Sequence, residues 1–326
     1  MKLPSVKNLP VAGKKVLLRT DYDVPLNPFD TSRIDKSLPT LKYLLEQKAK
    51  IIIISHLGRP EGKEVPSLSL KPIADYLNKV FPKAKDCYLH ENLRFDPGEE
   101  NNDPDFTKHL IVLADYYVND AFAVSHRNHA SIVGIPKFLP SAFGFSFIEE
   151  VEVLDKTRNN QKRPVTLILG GAKEDKLGGI EKLAKWADQI LIGGRLPKII
   201  ENCKLKIENL RVAKLNASGK DISSESINDF IKIIRQSAVV VWAGPMGIYE
   251  EERFAKGTRE IAQAIADSKA YSVVGGGDTE AALSKLGFND KMSYISSGGG
   301  AMLEFLANGT LPGIEAIINQ EYKMTE

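Results

Sequence analysis

The histidines and the glycine-rich turns of this chain fall in different halves, and each set offers its own way of holding an anion. All five histidines, His56, His90, His109, His126 and His129, lie within the first 129 residues. Arginines accompany them on turns that follow short apolar runs. These are Arg19-Thr20-Asp21-Tyr22-Asp23 with Arg33 in the next loop, Ser55-His56-Leu57-Gly58-Arg59-Pro60, Arg94, and His126-Arg127-Asn128-His129. A guanidinium grips phosphate or carboxylate through paired hydrogen bonds and stays charged, and an imidazole adds a donor whose charge follows pH. Asp21 and Asp23 read either as ion-pair partners of arginine or as acceptors for a substrate hydroxyl. The paired histidines of 126–129 can equally satisfy turn backbone, and the residues alone leave both readings open.

The second half offers backbone instead. Its strongest turns are Gly170-Gly171-Ala172-Lys173, Ala243-Gly244-Pro245-Met246-Gly247, Gly275-Gly276-Gly277-Asp278-Thr279 and Ser296-Ser297-Gly298-Gly299-Gly300-Ala301. Most of them follow an apolar run and precede a helix-like stretch, where bare N–H groups and a helix N-terminus attract anions. Lys173 and Lys176 can place ammonium groups over a phosphate. Thr279 suits phosphate oxygens, and Asp278 either holds Mg²⁺, directly or through water, or caps its helix. Generic fingerprints are missing: there is no GxxxxGK[ST] and no GxGxxG, and His126-Arg127-Asn128 lacks the aspartate of a kinase HRD loop. A P-loop NTPase and a nicotinamide oxidoreductase are therefore not indicated.

The elements that must position these residues follow from hydrophobic patterning. Continuous apolar runs at 16–19, 50–55, 116–119, 165–169, 189–192, 238–242, 270–274 and 292–295 read as parallel strands covered on both faces. Helical spacing appears between them at 36–47, 70–80, 180–186, 226–235, 258–265 and 279–286. Strand–helix alternation in both halves predicts an α/β fold with parallel sheets. At 326 residues, two domains are expected. A helical stretch at 147–154 followed by the polar segment 158–164 suits a linker between them.

Composition narrows the classes. Hydrophobic content of 43%, with 26% charged residues and a net charge of +2, is ordinary for a globular protein. No global field draws the chain to nucleic acid or membrane, so acidic ligands must be held by local clusters. Cys87 and Cys203 are far apart and outside any metal-binding spacing, which fits a reducing compartment. No apolar run approaches membrane-spanning length. A cytoplasmic protein acting on small molecules is expected, with no nucleic-acid or membrane partner.

Taken together, the motifs resemble phosphoglycerate kinase over nearly the whole chain. The resemblance rests on residues 16–26 (VLLRTDYDVPL), 55–60 (SHLGRP), 91–95 (ENLRF) and 118–131 (VNDAFAVSHRNHAS). In the second half it rests on 169–173 (LGGAK), 242–250 (WAGPMGIYE), 275–279 (GGGDT), 296–301 (SSGGGA), 303–306 (LEFL) and 311–313 (LPG). The family implies two Rossmann-like three-layer domains joined by a hinge helix. Residues 1–150, with a C-terminal return at 309–326, would bind 3-phosphoglycerate or 1,3-bisphosphoglycerate. Residues 151–163 would link, and 164–308 would bind Mg-ADP or Mg-ATP.

Carried over by position, Arg19, Asp21, Asp23, Arg33, His56, Arg59, Arg94, His126, Arg127 and His129 fall at acid-phosphate positions. Gly171, Lys173, Lys176, Gly193, Glu250, Gly275, Gly276, Gly277, Asp278, Thr279, Ser297 and Gly298 fall at nucleotide positions, with Glu250 facing ribose and Asp278 facing Mg²⁺. Arg33, Lys173 and Lys176 are implied as catalytic cations for a phosphoryl transfer of glycolysis and gluconeogenesis, completed by hinge closure in a monomer. A phosphoglycerate-binding protein without turnover is the alternative.

The chain also departs from the family pattern. Asp23 stands for asparagine, Ala243 for the asparagine of WNGP and Tyr294 for histidine, the Lys173–Lys176 spacing is one residue short, and the segment from Gly194 to Ala238 is abbreviated. These differences gather on the base-binding side and imply relaxed base selectivity with transfer retained.

Overall fold

The computed structural model describes residues 1–81, 83, 87–201 and 207–320. Cys203 lies outside the described residues. The chain divides into two compact units, Met1–Val153 with Thr310–Glu326, and Leu154–Gly309. The break falls inside one helix, Phe145–Arg158.

The first unit is built on β1 (Lys15–Thr20), β2 (Lys50–Ile54), β3 (Tyr88–Leu89), β4 (Tyr116–Asp120) and β5 (Ser141–Phe143), in the order β3-β2-β1-β4-β5. Every pairing is parallel, with Leu17 opposite Ile52 on one side and Tyr117 on the other. The apolar runs are continuous because both faces are covered. Val16, Leu18, Ile51 and Ile53 form one core cluster with Ile34, Leu41 and Leu44 of the helix Ser32–Glu46 and with Ile73 and Leu77 of the helix Lys71–Val80. Each such side chain contributes roughly 1.5–3 kcal/mol on burial. The helix Ser32–Glu46 begins four residues before the start at 36 that spacing predicts, which puts Arg33 in its first turn.

The second unit is built on β6 (Val165–Leu169), β7 (Gln189–Ile192), β8 (Leu210–Val212), β9 (Val239–Ala243), β10 (Tyr271–Gly275) and β11 (Tyr294–Ser296). Their order is β11-β10-β9-β6-β7-β8, again all parallel. The abbreviated stretch after Gly194 thus still supplies an outer strand.

In both sheets the chain starts at the centre, steps outward, then returns to the centre and steps the other way. The reversal falls between β1 and β4, and between β6 and β9. Helices leaving the two strands of such a pair diverge to opposite faces and open a crevice at their carboxyl ends, where ligands bind in sheets of this order.

The eight expected strands are present with ends shifted by at most two residues, and β3, β5 and β8 are additional. Those three have two or three residues each, too few to show a period. Among the described residues no helix is long and apolar enough to cross a membrane. The C-terminal helix Pro312–Ile318 packs back on the first unit. There Gly313 N donates to Ser125 O at 2.9 Å and Gln320 Nε2 to Pro136 O at 2.8 Å.

Candidate functional site

At the β1/β4 crevice the strand-end turns of β1, β2 and β4 bring the arginines and histidines together. Arg33 donates from NH1 to Asp21 Oδ2 at 2.9 Å and to the Asp23 carbonyl at 3.0 Å. Asp23 accepts the Gly58 N–H at 2.8 Å, tying the β1 turn to the β2 turn, and its other oxygen lies 3.9 Å from His56 Nε2. Both aspartates thus serve as partners for the cationic turns. Arg94 is buried, donates to Gly58 O at 2.7 Å and pairs with Glu100 through Nε at 3.2 Å. His126 and Arg127 are half-buried, and Arg59 is exposed.

Arg19 takes a different place from the one its motif implies. It is fully buried and its guanidinium is committed within the protein. Nε donates to Ser131 Oγ at 2.9 Å, NH1 to the Thr20 carbonyl, and NH2 lies 3.2 Å from His56 Nδ1. Arg19 therefore supports the crevice from beneath.

The concentration of positive charge sets the protonation of the histidines. Burial, followed by the charges of Arg19, Arg94 and Arg33, holds His56 well below the ordinary imidazole range. His129 is lowered to about 3 by burial and then by Arg94, Arg19 and Arg127. Both imidazoles are neutral near pH 7, and the site's fixed charge resides on guanidinium groups. Sequence reasoning missed Glu99, which is fully buried and accepts both the N–H and the hydroxyl of Ser131, at 2.9 and 2.6 Å. Its motif, Pro97-Gly98-Glu99-Glu100, looks like an ordinary acidic helix start, so nothing in the string sets it apart.

At the β6/β9 crevice the turns interlock through backbone. Gly170 N donates to Ala243 O at 2.9 Å, Gly171 N to Pro245 O at 2.7 Å, and Gly194 N to Met246 O at 3.1 Å. Gly244 has φ +99°, and a β-carbon there would run into Gly170 O and Lys176 Nζ. A β-carbon on Gly193 would sit 2.6 Å from Met246 Sδ, so that glycine also serves close packing. The Lys176 ammonium lies in this crevice, donating to Gly170 O at 2.9 Å, while Lys173 is exposed.

Two helix N-termini meet beside these turns. The helix Gly277–Leu286 starts after Gly276 at φ +101°, and the helix Gly299–Asn308 starts after Gly298; neither N-cap carries a side-chain hydrogen bond. A β-carbon on Gly299 would lie 2.9 Å from Gly276 Cα, so glycine lets the two starts touch. Their first N–H groups lack intrahelical partners, and both dipoles add positive potential. Ser297 is buried in the turn before the second helix.

Thr279 is buried, and its hydroxyl donates to Gly275 O at 3.1 Å and accepts from Gly244 N at 2.7 Å. It joins β10 to the β9 turn. Asp278 occupies the second helical position, so it is not the N-cap. It is exposed, and its side chain makes no hydrogen bond or ion pair among the described residues. Glu250 is exposed, and its carbonyl accepts from Lys285 Nζ at 2.8 Å. Among the described residues no cluster of three or more His, Cys, Asp or Glu side chains can hold a metal by itself.

Comparison with known proteins agrees with this geometry. The family profile described as phosphoglycerate kinase matches residues 6–88, 82–214 and 199–309. The phosphoglycerate kinase of Finegoldia magna is 41% identical over 392 aligned positions, covering 97% of this chain and 99% of the relative. That of Pseudothermotoga lettingae is 37% identical, covering 98% and 100%. The 392 aligned positions exceed the 326 residues of this chain, so dozens of them face gaps in it. Among solved structures, phosphoglycerate kinase from Coxiella burnetii superposes with a TM-score of 0.78 at 32% identity, covering 98% of this chain and 99% of that one. Phosphoglycerate kinase from Pyrococcus horikoshii OT3 gives 0.79 at 28% identity, covering 97% and 98%. The motifs, the two sheet orders and the full-length similarity agree: the chain belongs to the phosphoglycerate kinase family.

Proposed function

We propose that the Arg/His crevice of the first unit holds 3-phosphoglycerate or 1,3-bisphosphoglycerate and that the glycine-lined crevice of the second holds Mg-ADP or Mg-ATP. The chain then transfers a phosphoryl group reversibly from the acyl phosphate of 1,3-bisphosphoglycerate to ADP. The observation that carries this reading is the gathering of Arg33, Arg94, His56 and His129 at the β1/β4 crevice, each bearing electrostatically on the next. Such a cluster is costly to assemble without an anionic ligand. Arg59, His126 and Arg127 extend it toward solvent.

Phosphoryl transfer asks the protein for alignment and charge more than for covalent chemistry. Arg33 is already oriented by Asp21, and it serves with Lys173 and Lys176 as a cation for the moving phosphoryl group. The uncapped starts at Gly277 and Gly299, with Gly171, Gly193, Gly275, Gly276, Ser297 and Gly298 around them, receive the nucleotide phosphates. Glu250 takes the ribose. Thr279 contributes by joining the turns. Asp278 fits Mg²⁺, which is usually held through one or two carboxylates plus substrate phosphates. When bound, Mg²⁺ neutralises charge on the nucleotide phosphates.

Closure of a hinge in 151–163 supplies the water-free, in-line approach. With this reading go a monomeric state, a cytoplasmic place in glycolysis, and no nucleic-acid or membrane partner, supported by a net charge of only +2. The test is a coupled assay of ATP formation from 1,3-bisphosphoglycerate and Mg-ADP, repeated with GDP and IDP to read base selectivity. Turnover is expected. Its absence beside intact 3-phosphoglycerate binding would replace this reading with the binding-protein alternative.

A further inference from the structure

Glu99 is a fully buried carboxylate that is not itself an expected ligand position, yet its contacts lead to the acid-phosphate site. Oε2 accepts the Ser131 N–H at 2.9 Å and Oε1 accepts the Ser131 hydroxyl at 2.6 Å. That serine in turn accepts Arg19 Nε at 2.9 Å. Oε1 lies 3.8 Å from both Arg19 NH2 and His129 Nδ1. Ser131 is further fixed by Tyr117, whose hydroxyl donates to its carbonyl at 2.5 Å. It sits in the helical turn Ala130–Gly134, immediately after His129. One carboxylate thereby links the helical turn that follows the His126–His129 loop to the end of β1, and through Arg19 to His56, 3.2 Å away.

Two physical needs meet at this carboxylate. Arg19 is a guanidinium with no exposure, and a buried charge demands an opposite charge or full hydrogen bonding. The loop carrying Arg127 and His129 must also be held within a few tenths of an ångström for an ionic ligand to be gripped by several groups at once. Glu99 answers both, because it compensates the Arg19 charge and pins the loop end through two bonds to one serine.

We propose that Glu99 is a positioning residue for phosphoglycerate binding, holding Ser131 and Arg19 so that the His126–His129 loop and His56 are presented in register. The inference rests on assigning this crevice to phosphoglycerate, as above. Glu99→Gln keeps one acceptor oxygen and removes the charge, whereas Glu99→Ala removes both. Calorimetry with 3-phosphoglycerate is expected to show about tenfold weaker binding for Glu99→Gln and a larger loss for Glu99→Ala, with ADP affinity within twofold of wild type in each.

In turnover, KM for 3-phosphoglycerate rises while kcat changes less than threefold, because Glu99 meets no reacting atom. A role in stability alone would lower Tm and leave the affinity of the folded variant unchanged. Ser131→Ala deletes only the hydroxyl link and keeps the inference testable should Glu99→Gln not fold. It is expected to weaken 3-phosphoglycerate about threefold, less than additively with Glu99→Gln. Wild-type affinity in folded Glu99→Gln or in Ser131→Ala overturns the inference alone, whereas a wild-type chain that binds no 3-phosphoglycerate overturns the site assignment as well.

Discussion

The two units share one sheet plan and differ in what they place at its open end. In the first, side chains make the site: Arg33, His56, Arg94 and His129 converge on the β1/β4 crevice, with Arg33 oriented by a carboxylate, Arg94 by a carbonyl and His56 by the Arg19 guanidinium. In the second, backbone makes the site: glycines at φ +99° and +101° and two uncapped helix starts surround the β6/β9 crevice. The contrast teaches that one topology specifies where a ligand goes and leaves open how it is held. A side-chain site carries fixed charge in guanidinium groups and must compensate it with buried acids such as Glu99. A backbone site needs no such compensation, but it tolerates no β-carbon at its closest approaches.

The largest test of that contrast is Arg33→Ala. It is expected to lower kcat by about 10²–10³-fold, equivalent to roughly 3–4 kcal/mol of barrier, with ADP affinity within twofold of wild type. Near-normal turnover in steady-state kinetics would remove Arg33 from the transition-state cations.

Gly244→Ala strikes the backbone-built site. A β-carbon at φ +99° collides with Gly170 O and Lys176 Nζ, and about 2–3 kcal/mol of stability should be lost, together with nucleotide binding. Binding of 3-phosphoglycerate should survive. Denaturant unfolding and calorimetry check both halves of this expectation, and full ADP affinity in the variant would show that the tight turn is dispensable.

Asp278→Asn separates the metal from the phosphate cradle. Mg-ADP affinity is expected to fall about tenfold while metal-free ADP binding moves less than twofold, since the helix N-termini are untouched. An equal loss in both titrations would mean that Asp278 acts on the cradle itself.

The last test concerns protons and bears on stability alone. His129 has a folded-state pKa of about 3 against about 6.5 unfolded, so between these values the unfolded chain binds more protons. Its contribution to stability is complete above about pH 6.5 and is lost as pH falls toward 3. In denaturant unfolding at successive pH values, His129→Asn should decline less steeply than wild type, by up to about 1.4 kcal/mol per pH unit. Identical slopes would show that His129 is not held neutral by the fold.

Much of the molecule was legible before its coordinates. The runs that became β1, β2, β4, β6, β7, β9 and β10 are long and apolar because two layers of helix cover them, which is the pattern that periodicity detects best. β3, β5 and β8 escaped because two or three residues carry no period. Of the site, the charged turns and the glycine strings were visible as strings. What each member does was not: Arg19 and Thr279 sit inside motifs yet spend their polar atoms on the protein, and Glu99 sits outside every motif yet holds Ser131.

The sequence by itself determined the fold class, the family, and the division of labour between cationic side chains early and glycine backbone late. These follow from composition, period and local turn chemistry, all of which are short-range in the chain. Tertiary structure alone decided that Glu99 meets Ser131 across 32 positions, that Arg19 is buried beneath the crevice, and that the helix starts at Gly277 and Gly299 touch. Those contacts join segments distant in sequence, and only the packing of the sheets and their connecting turns sets which atoms come within bonding distance.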